Sequence, residues 1–305
     1  MRHTIALLLL MLSPLAATAQ EFGMNWIRSA TAREGRGVLF RKMVTGAKEP
    51  DHAWLEVASQ GYVDVYVNER NIDRHAPVAS QKAPITVRRF DITPFLREDT
   101  NVVAVEYFPR DTMPADRQLA INIYGLYTDG SPLTLQTDAT WLCRASQRRW
   151  MDGDEELQDA TITTEGWNAT QYAPALWTGA DEVEPKETKP MEAFDDYSLP
   201  YRPCLVTEQR FFDNAGSCTY YDFGPALVGF LRVTLRGPRR GDILHFGPLT
   251  YVCSGELDEQ AFTKFVPRTI RRVKAWGQGG YDREWIQFFQ AIGVARDLPG
   301  ILGNG

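Results

Sequence analysis

The sequence predicts an all-β protein made of two β-sandwich domains in tandem, with a short helix near the C-terminus. β-Branched and aromatic residues alternate with polar ones along most of the chain, which is the period of a half-buried strand. Glycine, proline, asparagine and aspartate interrupt these runs at short intervals and supply turns. Many short strands separated by turns favour sandwiches over a fold of alternating strands and helices.

Residues 1–19 have the organisation of a signal peptide. A basic start at Arg2 precedes an apolar run over residues 5–12, and Ala17 and Ala19 form a small-residue cleavage site. The run is shorter than the roughly 20 residues that span a bilayer. We predict cleavage before Gln20 and export to the periplasm or the extracellular space; an uncleaved anchor is the alternative. No later run is apolar enough to be a membrane span.

The charge and cysteine content exclude some classes of function. A formal charge of −6 gives the chain no electrostatic reason to bind nucleic acid. We interpret a local basic cluster as a solvated strand face or a set of internal ion pairs; it consists of Arg268, Arg271, Arg272 and Lys274. No pair of the four cysteines has C-x-x-C spacing, which argues against zinc, while disulfides and buried free thiols both remain open; they are Cys143, Cys204, Cys218 and Cys253.

The first sandwich is predicted over residues 20–180. Its strands are expected at residues 55–58, 63–67, 85–87, 101–107, 121–127 and 133–135. Asp91 or Thr93 can cap a single helical turn that has Pro94 at its first position. The end of this unit, from residue 147 to 180, is irregular and carries three of the tryptophans.

An acidic segment over residues 181–203 separates the two predicted units. It contains four prolines and seven carboxylate side chains, which is typical of a linker. Its aromatic residues, Phe194, Tyr197 and Tyr201, can pack against a domain. We therefore expect a strap across the boundary in preference to a free linker.

The second sandwich is predicted over residues 204–280, and residues 281–305 are expected to form a short helix and a frayed tail. Strands are expected at residues 219–223, 229–235, 242–246, 262–265 and 270–276. After Asp282, a potential N-cap, apolar residues follow at helical spacing: Trp285, Ile286, Phe288, Phe289 and Ile292.

Several of these runs carry a known pattern. GYVDVYVN at residues 61–68, FDITPFL at 90–96 and NVVAV at 101–105 resemble the N-terminal sandwich of bacterial α-L-rhamnosidases, glycoside hydrolase family 78. DATW at 138–141 is similar to the strand entry that closes the same unit. YDFG at 221–224, LRGP at 235–238 and CSGE at 253–256 resemble the next sandwich of the family. The resemblance implies jelly-roll-like, galactose-binding-like folds that are shared with sugar-binding domains of other glycosidases.

The chain also departs from the family pattern. Glu69 stands where the family usually turns with glycine, and the loop at residues 73–84 lacks a Pro-Gly-Trp segment. The resemblance implies an (α/α) catalytic barrel beyond the second sandwich, but its acidic motifs have no counterpart here. The resemblance therefore transfers no catalytic residue to this chain.

Carboxylates and histidines offer no catalytic constellation. A glycosidase needs two carboxylates that face each other across a cleft. Alternation places Asp64 on the solvent face of its strand, Asp91 lies at a helix cap, and Asp222 precedes a turn at Gly224. No Gly-x-Ser-x-Gly elbow or spaced histidine pair is present. The exposed acidic cluster Glu256, Asp258 and Glu259 makes a calcium site possible, with a solvated loop as the alternative; we predict no other cofactor.

Aromatic side chains give the sequence two candidate sugar surfaces. Sugars present apolar C–H faces to aromatic rings and hydroxyl groups to amides and carboxylates. The first surface combines Tyr62, Tyr66 and Asn68; the second combines Trp150, Trp167 and Trp177. Core or interdomain packing is the alternative interpretation of both sets.

These observations predict an exported, non-catalytic accessory protein that binds carbohydrate. Its partner would be a plant or microbial polysaccharide or oligosaccharide, with rhamnose-containing glycans implied by the resemblance. A truncated rhamnosidase fragment and a structural or protein-interaction module of the cell envelope are the alternatives. A hydrolase that uses carboxylates on a sandwich is a further one.

Overall fold

The computed structural model describes residues 25–31, 35–73, 75–112, 115–151, 155–184, 186–194 and 202–295. These residues form β-sandwiches, and the predicted all-β class is confirmed. The predicted signal peptide over residues 1–19 and the predicted frayed tail beyond residue 295 lie outside the described residues. No helix in the described part of the chain is long and apolar enough to cross a membrane.

The strands run in chain order as follows. The first half contains β1 (Trp26–Arg28), β2 (Arg36–Ala47), β3 (Pro50–Ser59), β4 (Gly61–Val67), β5 (Arg70–Asn71), β6 (Ile85–Asp91), β7 (Asp99–Pro109), β8 (Leu119–Tyr127), β9 (Pro132–Gln136), β10 (Leu142–Trp150) and β11 (Glu156–Asp159). The second half contains β12 (Thr178–Gly179), β13 (Asp181–Val183), β14 (Met191–Phe194), β15 (Arg202–Glu208), β16 (Phe211–Ala215), β17 (Cys218–Leu235), β18 (Ile243–Phe246), β19 (Leu249–Val252), β20 (Glu259–Phe262), β21 (Arg268–Gln278) and β22 (Ile286–Ala295). Single 3₁₀ turns lie at Thr93–Phe95 and Arg283–Trp285.

The first sandwich packs two sheets face to face. One sheet has the order β13-β1-β8-β3-β6-β14, and β9 also pairs with β8. The other face is the β10-β2-β7-β4-β5 portion of a larger sheet. Alternation sorts the residues of β4, because Val63, Val65 and Val67 enter the core while Tyr62, Asp64 and Tyr66 point to the opposite side.

The predicted acidic strap contributes strands to the first sandwich. β13 pairs antiparallel with β1, and β14 pairs parallel with β6, so both lie at edges of the same sheet. As edge strands, β13 and β14 pair with the sheet on one side only, and their residues are exposed or half-buried. Residues 195–201, which include Tyr197 and Tyr201, lie outside the described residues.

The second sandwich continues the larger sheet of the first. β11 follows β10 and pairs parallel with β19, so the sheet runs on through β18, β21, β17, β22 and β15. The long strand β17 shifts register between Asp222 and Leu227, next to Gly224 at φ +89°. Its first part pairs with β16 and its second part with β20. A bend of this kind lets one strand serve both layers of a sandwich.

The predicted C-terminal helix is wrong. Asp282 accepts a hydrogen bond from the Glu284 amide, but the cap starts only the 3₁₀ turn Arg283–Trp285. The following residues form β22, which lies between β15 and β17 and buries Phe289 and Ala291. Short apolar runs fit either helical or strand spacing, and here the ladder to two neighbouring strands decides the conformation.

The cysteines are free thiols in this structure. Cys143 and Cys253 are buried, Cys218 is half-buried, and Cys204 is exposed on β15. Burial raises the pKa of the Cys253 thiol well above its ordinary value, with a further contribution from Glu259. A buried neutral thiol of this kind acts as a small apolar core residue.

Candidate functional site

A cationic side chain from the second sandwich enters the outer face of the first. Lys264 lies in the loop between β20 and β21, and its Nζ is 2.6 Å from Asp64 Oδ2 and 2.6 Å from Glu106 Oε2. It also donates to the Tyr66 hydroxyl at 3.0 Å. Asn71 Nδ2 donates to the other oxygen of Asp64 at 2.7 Å. Asp64 is therefore on the outer face of β4, as alternation predicts, but it is buried and not solvated.

The electrostatics of this Lys264 cluster follow from burial and pairing. Burial alone lowers the pKa of Lys264, but Asp64 and Glu106 raise it well above its ordinary value. Burial raises the pKa of Glu106, and the positive charges of Lys264 and Arg148 more than offset this effect and lower it. Lys264 and Glu106 are thus both charged at neutral pH, and the cluster joins the loop after β20 to the outer face of the first sandwich.

Three of the predicted sugar-binding residues meet beside this cluster. The Tyr66 ring is 5.6 Å from Trp167, edge to face, and Trp167 stacks on Trp177 at 6.2 Å. Trp177 Nε1 donates to the hydroxyl of Tyr172 at 3.2 Å. Trp177 is buried, while Tyr66 and Trp167 are half-buried. Because the rings cover one another's faces, the arrangement suits packing between a loop and the sheet better than an open sugar platform.

The other three residues predicted to bind sugar have structural contacts: Trp150 and Tyr62 pack against other aromatic residues, and Asn68 lies in a turn. Trp150 is buried and donates from Nε1 to the Pro109 carbonyl at 2.8 Å. Tyr62 packs against Phe265 at 6.2 Å. Asn68 has φ +49°, and its buried side chain accepts from the Val102 amide and donates to the carbonyl of Phe95. The structure therefore separates these three side chains from the Tyr66 group.

The three predicted calcium ligands do not converge. Glu259 is buried and accepts hydrogen bonds from the Ser254 and Gly255 amides at 2.6 and 2.8 Å. Asp258 forms a bidentate pair with Arg236, with both distances 2.9 Å, while Glu256 is exposed. In the described ranges, no group of three or more His, Cys, Asp or Glu side chains could hold a metal ion. Glu259 instead shapes the loop after β19.

A polar cleft opens at one end of the first sandwich. It has a volume of about 480 Å³, within the range of roughly 300–1,000 Å³ that small-molecule sites occupy. Its walls come from the ends of β3 and β7, the β7–β8 loop, and the segment between β13 and β14. The residues that line it are Gln60, Pro84, Tyr107, Pro109, Arg110, Asp111, Ala115, Asp116, Glu187 and Lys189.

Tyr107 gives this cleft an unusual feature. Its side chain is 1% exposed, and its hydroxyl has no hydrogen-bond partner among the described residues. Burial, and next the negative charge of Asp111, raise the pKa of Tyr107 well above its ordinary value. The hydroxyl is therefore neutral at physiological pH and can both donate and accept a hydrogen bond.

Charged residues line the rim of the Tyr107 cleft and form ion pairs and hydrogen bonds there. Lys189 Nζ lies 2.8 Å from Asp116 Oδ1. Burial raises the pKa of Asp116, but hydrogen bonds from Lys189 and Gln60 outweigh it and lower the pKa. Arg110 donates to the carbonyl of Ala83 at 3.0 Å and thereby fixes the loop before β6. No sequence pattern indicates this cleft, because its residues come from four distant segments and form no motif.

The described residues form two β-sandwiches that share one continuous sheet. Residues 48–196 match the family model of the α-L-rhamnosidase N-terminal domain. The predicted resemblance to the accessory sandwiches of α-L-rhamnosidases is therefore confirmed. A comparison with curated proteins finds no match.

Solved structures show the same fold over most of the chain. The α-L-rhamnosidase from Aspergillus terreus is similar at 20% identity and a TM-score of 0.75, over 91% of this chain and 36% of that one. The enzyme from Dictyoglomus thermophilum is similar at 17% identity and 0.74, over 89% and 35%. The enzyme from Streptomyces avermitilis, solved with L-rhamnose, is similar at 15% identity and 0.73, over 87% and 29%. This chain thus spans about a third of the length of these enzymes.

Proposed function

We propose that this chain is an exported, non-catalytic carbohydrate-binding protein, and that the Tyr107 cleft is its sugar site. The unpartnered hydroxyl of Tyr107 carries the proposal. A buried polar group without a partner costs about 1–3 kcal/mol. The hydroxyl is shielded from solvent in this structure, so the proposal requires a small movement of the cleft wall when the ligand binds. A ligand hydroxyl that then pairs with Tyr107 removes the cost, so the cleft favours ligands with hydroxyl groups over apolar ligands.

The other residues of the cleft suit a neutral polyol. Arg110 and Lys189 supply donors, whereas Asp111 and Asp116 supply acceptors. A sugar hydroxyl both donates and accepts, so one ring can satisfy groups of both kinds. The lowered pKa of Asp116 makes it an ionised hydrogen-bond acceptor at neutral pH.

The comparisons supply the class of sugar to test. The matched family model describes the N-terminal domain of α-L-rhamnosidases, and one similar structure was solved with L-rhamnose. The proposed partner is therefore a plant or microbial polysaccharide or oligosaccharide that contains rhamnose. The proposed place of action is the periplasm or the extracellular space, because residues 1–19 have the pattern of a signal peptide.

The substitution Tyr107→Phe tests the site. It removes the hydroxyl and keeps the ring, so we expect the affinity for L-rhamnose to fall on the order of 10-fold, or about 1.4 kcal/mol. The free energy of unfolding should not fall and should rise by about 1–3 kcal/mol, because the substitution removes a buried hydroxyl that has no hydrogen bond in the free protein. Calorimetric titration with L-rhamnose and rhamnogalacturonan oligosaccharides measures the first quantity, and urea unfolding measures the second.

Tyr124→Phe is the matched control. Its hydroxyl donates to Glu56 at 3.0 Å on the other sheet of the same sandwich, away from the cleft. Titration of this variant should reproduce the wild-type affinity. Equal sugar binding by wild type and Tyr107→Phe would contradict the assignment of the cleft. A folded sample that gives no heat with any of these sugars would contradict carbohydrate binding itself and favour a structural or protein-interaction role.

A further inference from the structure

The solvent face of the second sandwich carries an exposed tryptophan on a fixed support. Trp276 lies on β21 and is 37% exposed. The imidazole of His245, on the neighbouring strand β18, stacks on it with 3.9 Å between centroids and 8° between planes. A hydrogen bond of 2.8 Å between His245 Nδ1 and Thr250 Oγ1 fixes the imidazole. Because His245 covers one face of the indole, the exposed area belongs to its other face and edge.

Positive side chains continue this surface along β21. Lys274 Nζ is 5.8 Å from the Trp276 centroid, and the Arg272 guanidinium is 4.6 Å from the ring of Tyr220 on β17. In the strand register, Lys274 lies opposite Tyr220. Successive residues on one face of a strand are about 7 Å apart, so Trp276, Lys274 and Arg272 form a row about 14 Å long.

The two cations differ in how far they are neutralised. Arg272 contacts Asp213 at 3.2 Å, and both side chains are more than half exposed. For Lys274, no carboxylate of the described residues lies within ion-pair distance, and its ammonium lies near the indole of Trp276. An ammonium beside an exposed aromatic side chain can pair with an anion whose ring presents a C–H face to that side chain.

We propose that this row, the Trp276 strip, binds anionic carbohydrate, with a sugar ring against the exposed part of Trp276 and the carboxylate of a uronic acid at Lys274 and Arg272. A pyranose offers a C–H face to the indole, and a uronate adds the charge that Lys274 attracts. The proposal gives a function to part of the basic cluster at residues 268–274.

Binding of polygalacturonate, measured by affinity gel electrophoresis and calorimetry, tests the strip. Wild type should bind it, and fully methyl-esterified polygalacturonate, which lacks the charge, should bind at least 10-fold more weakly. Lys274→Ala should remove this preference for the acid form and most of the salt dependence. Trp276→Ala should weaken binding of both polymers by 10-fold or more, since it removes the ring contact.

Two control variants locate the site. Trp54 on the first sandwich also carries a cation over its ring, with the Arg89 guanidinium at 4.1 Å, so Trp54→Ala removes the same chemistry elsewhere and should leave binding unchanged. Tyr107→Phe should also leave polygalacturonate binding unchanged, which separates this proposal from the Tyr107 cleft. Equal binding of the charged and esterified polymers, or wild-type binding by Lys274→Ala, would overturn the proposal. If Trp276→Ala fails to fold, Lys274→Glu serves in its place and should abolish binding of the acid form.

Discussion

Replacing Lys264 by methionine should lower the free energy of unfolding by about 3–5 kcal/mol at neutral pH. The substitution keeps the length of the side chain and removes the charge that lies 2.6 Å from both Asp64 and Glu106. Both carboxylates are buried and would be left without their cation. Removing one partner from a buried ion pair typically has an effect of this size, because the remaining charge is no longer compensated. Urea unfolding followed by fluorescence measures the change.

The effect should depend on pH in a defined direction. In the native protein the pKa of Glu106 is lowered, so its stabilising contribution is complete above the unfolded-state value of about 4.3 and is lost as the pH falls through the folded-state value. Without Lys264, the pKa of Glu106 rises from its native value, because the largest effect that opposes burial is removed. The variant can then relieve its unpaired charge by taking up a proton. The difference in stability between wild type and Lys264→Met should therefore be largest near pH 7 and narrow towards pH 4.

Lys82→Met is the control for removing a surface ion pair. Lys82 Nζ lies 3.4 Å from Glu192, but its side chain is 85% exposed. The expected change is within about 0.5 kcal/mol, since solvent screens such pairs. A loss for Lys264→Met no larger than that of Lys82→Met would show that the Lys264 cluster does not stabilise the fold.

The sequence predicted the strands well because alternation is a local property. Along β4 it correctly assigned Val63 and Val65 to one face and Asp64 and Tyr66 to the other. The face of β4 that carries Asp64 is covered by Lys264, and alternation along one strand does not predict such a tertiary contact. Lys264 is 198 residues from Tyr66 along the chain, and nothing in either segment marks the partner. A buried carboxylate was therefore interpreted as a solvated one.

The candidate sites illustrate the same limit. Aromatic content identified Tyr66, Trp167 and Trp177, and the fold does bring them together. Their mutual packing could not be foreseen, because it depends on how the loop before β12 folds over the sheet. The sequence does not predict the Tyr107 cleft either, because whether a buried hydroxyl has a hydrogen-bond partner depends on the residues that surround it in the fold. Both features belong to tertiary structure.

The second large effect is expected for Asp73→Asn, which should lower the free energy of unfolding by about 3 kcal/mol or more. Asp73 forms a bidentate pair with Arg88, with distances of 2.7 and 2.9 Å, and both side chains are 2% exposed. It also accepts from the amide of His75 at 2.9 Å. Asparagine keeps the shape but leaves the Arg88 guanidinium buried without a counter-charge. Thermal and urea unfolding measure the loss.

The exposed pair of Asp51 and His52 supplies a matched control. Its side chains lie 2.9 Å apart with about half or more of each exposed, so Asp51→Asn should change stability by no more than about 0.5 kcal/mol. Burial raises the pKa of Asp73, but hydrogen bonds from His75 and Arg88 lower it overall. Its contribution is thus present above the unfolded-state pKa of about 3.9 and is lost as the pH falls through the lowered value. The gap between wild type and Asp73→Asn should close in strong acid; a gap that is constant with pH would contradict this role for the carboxylate.

This buried pair also bears on the proposed sugar site. Asp73 and Arg88 hold the beginning of the loop that leads to β6, and Pro84 at the end of that loop lines the Tyr107 cleft. Arg110, another cleft residue, donates to the carbonyl of Ala83 in the same loop. If the loop sets the shape of the cleft, Asp73→Asn should weaken L-rhamnose binding as well as stability, whereas Tyr107→Phe should weaken binding alone. Unaltered sugar affinity in a destabilised Asp73→Asn protein would show that the cleft is shaped without this loop.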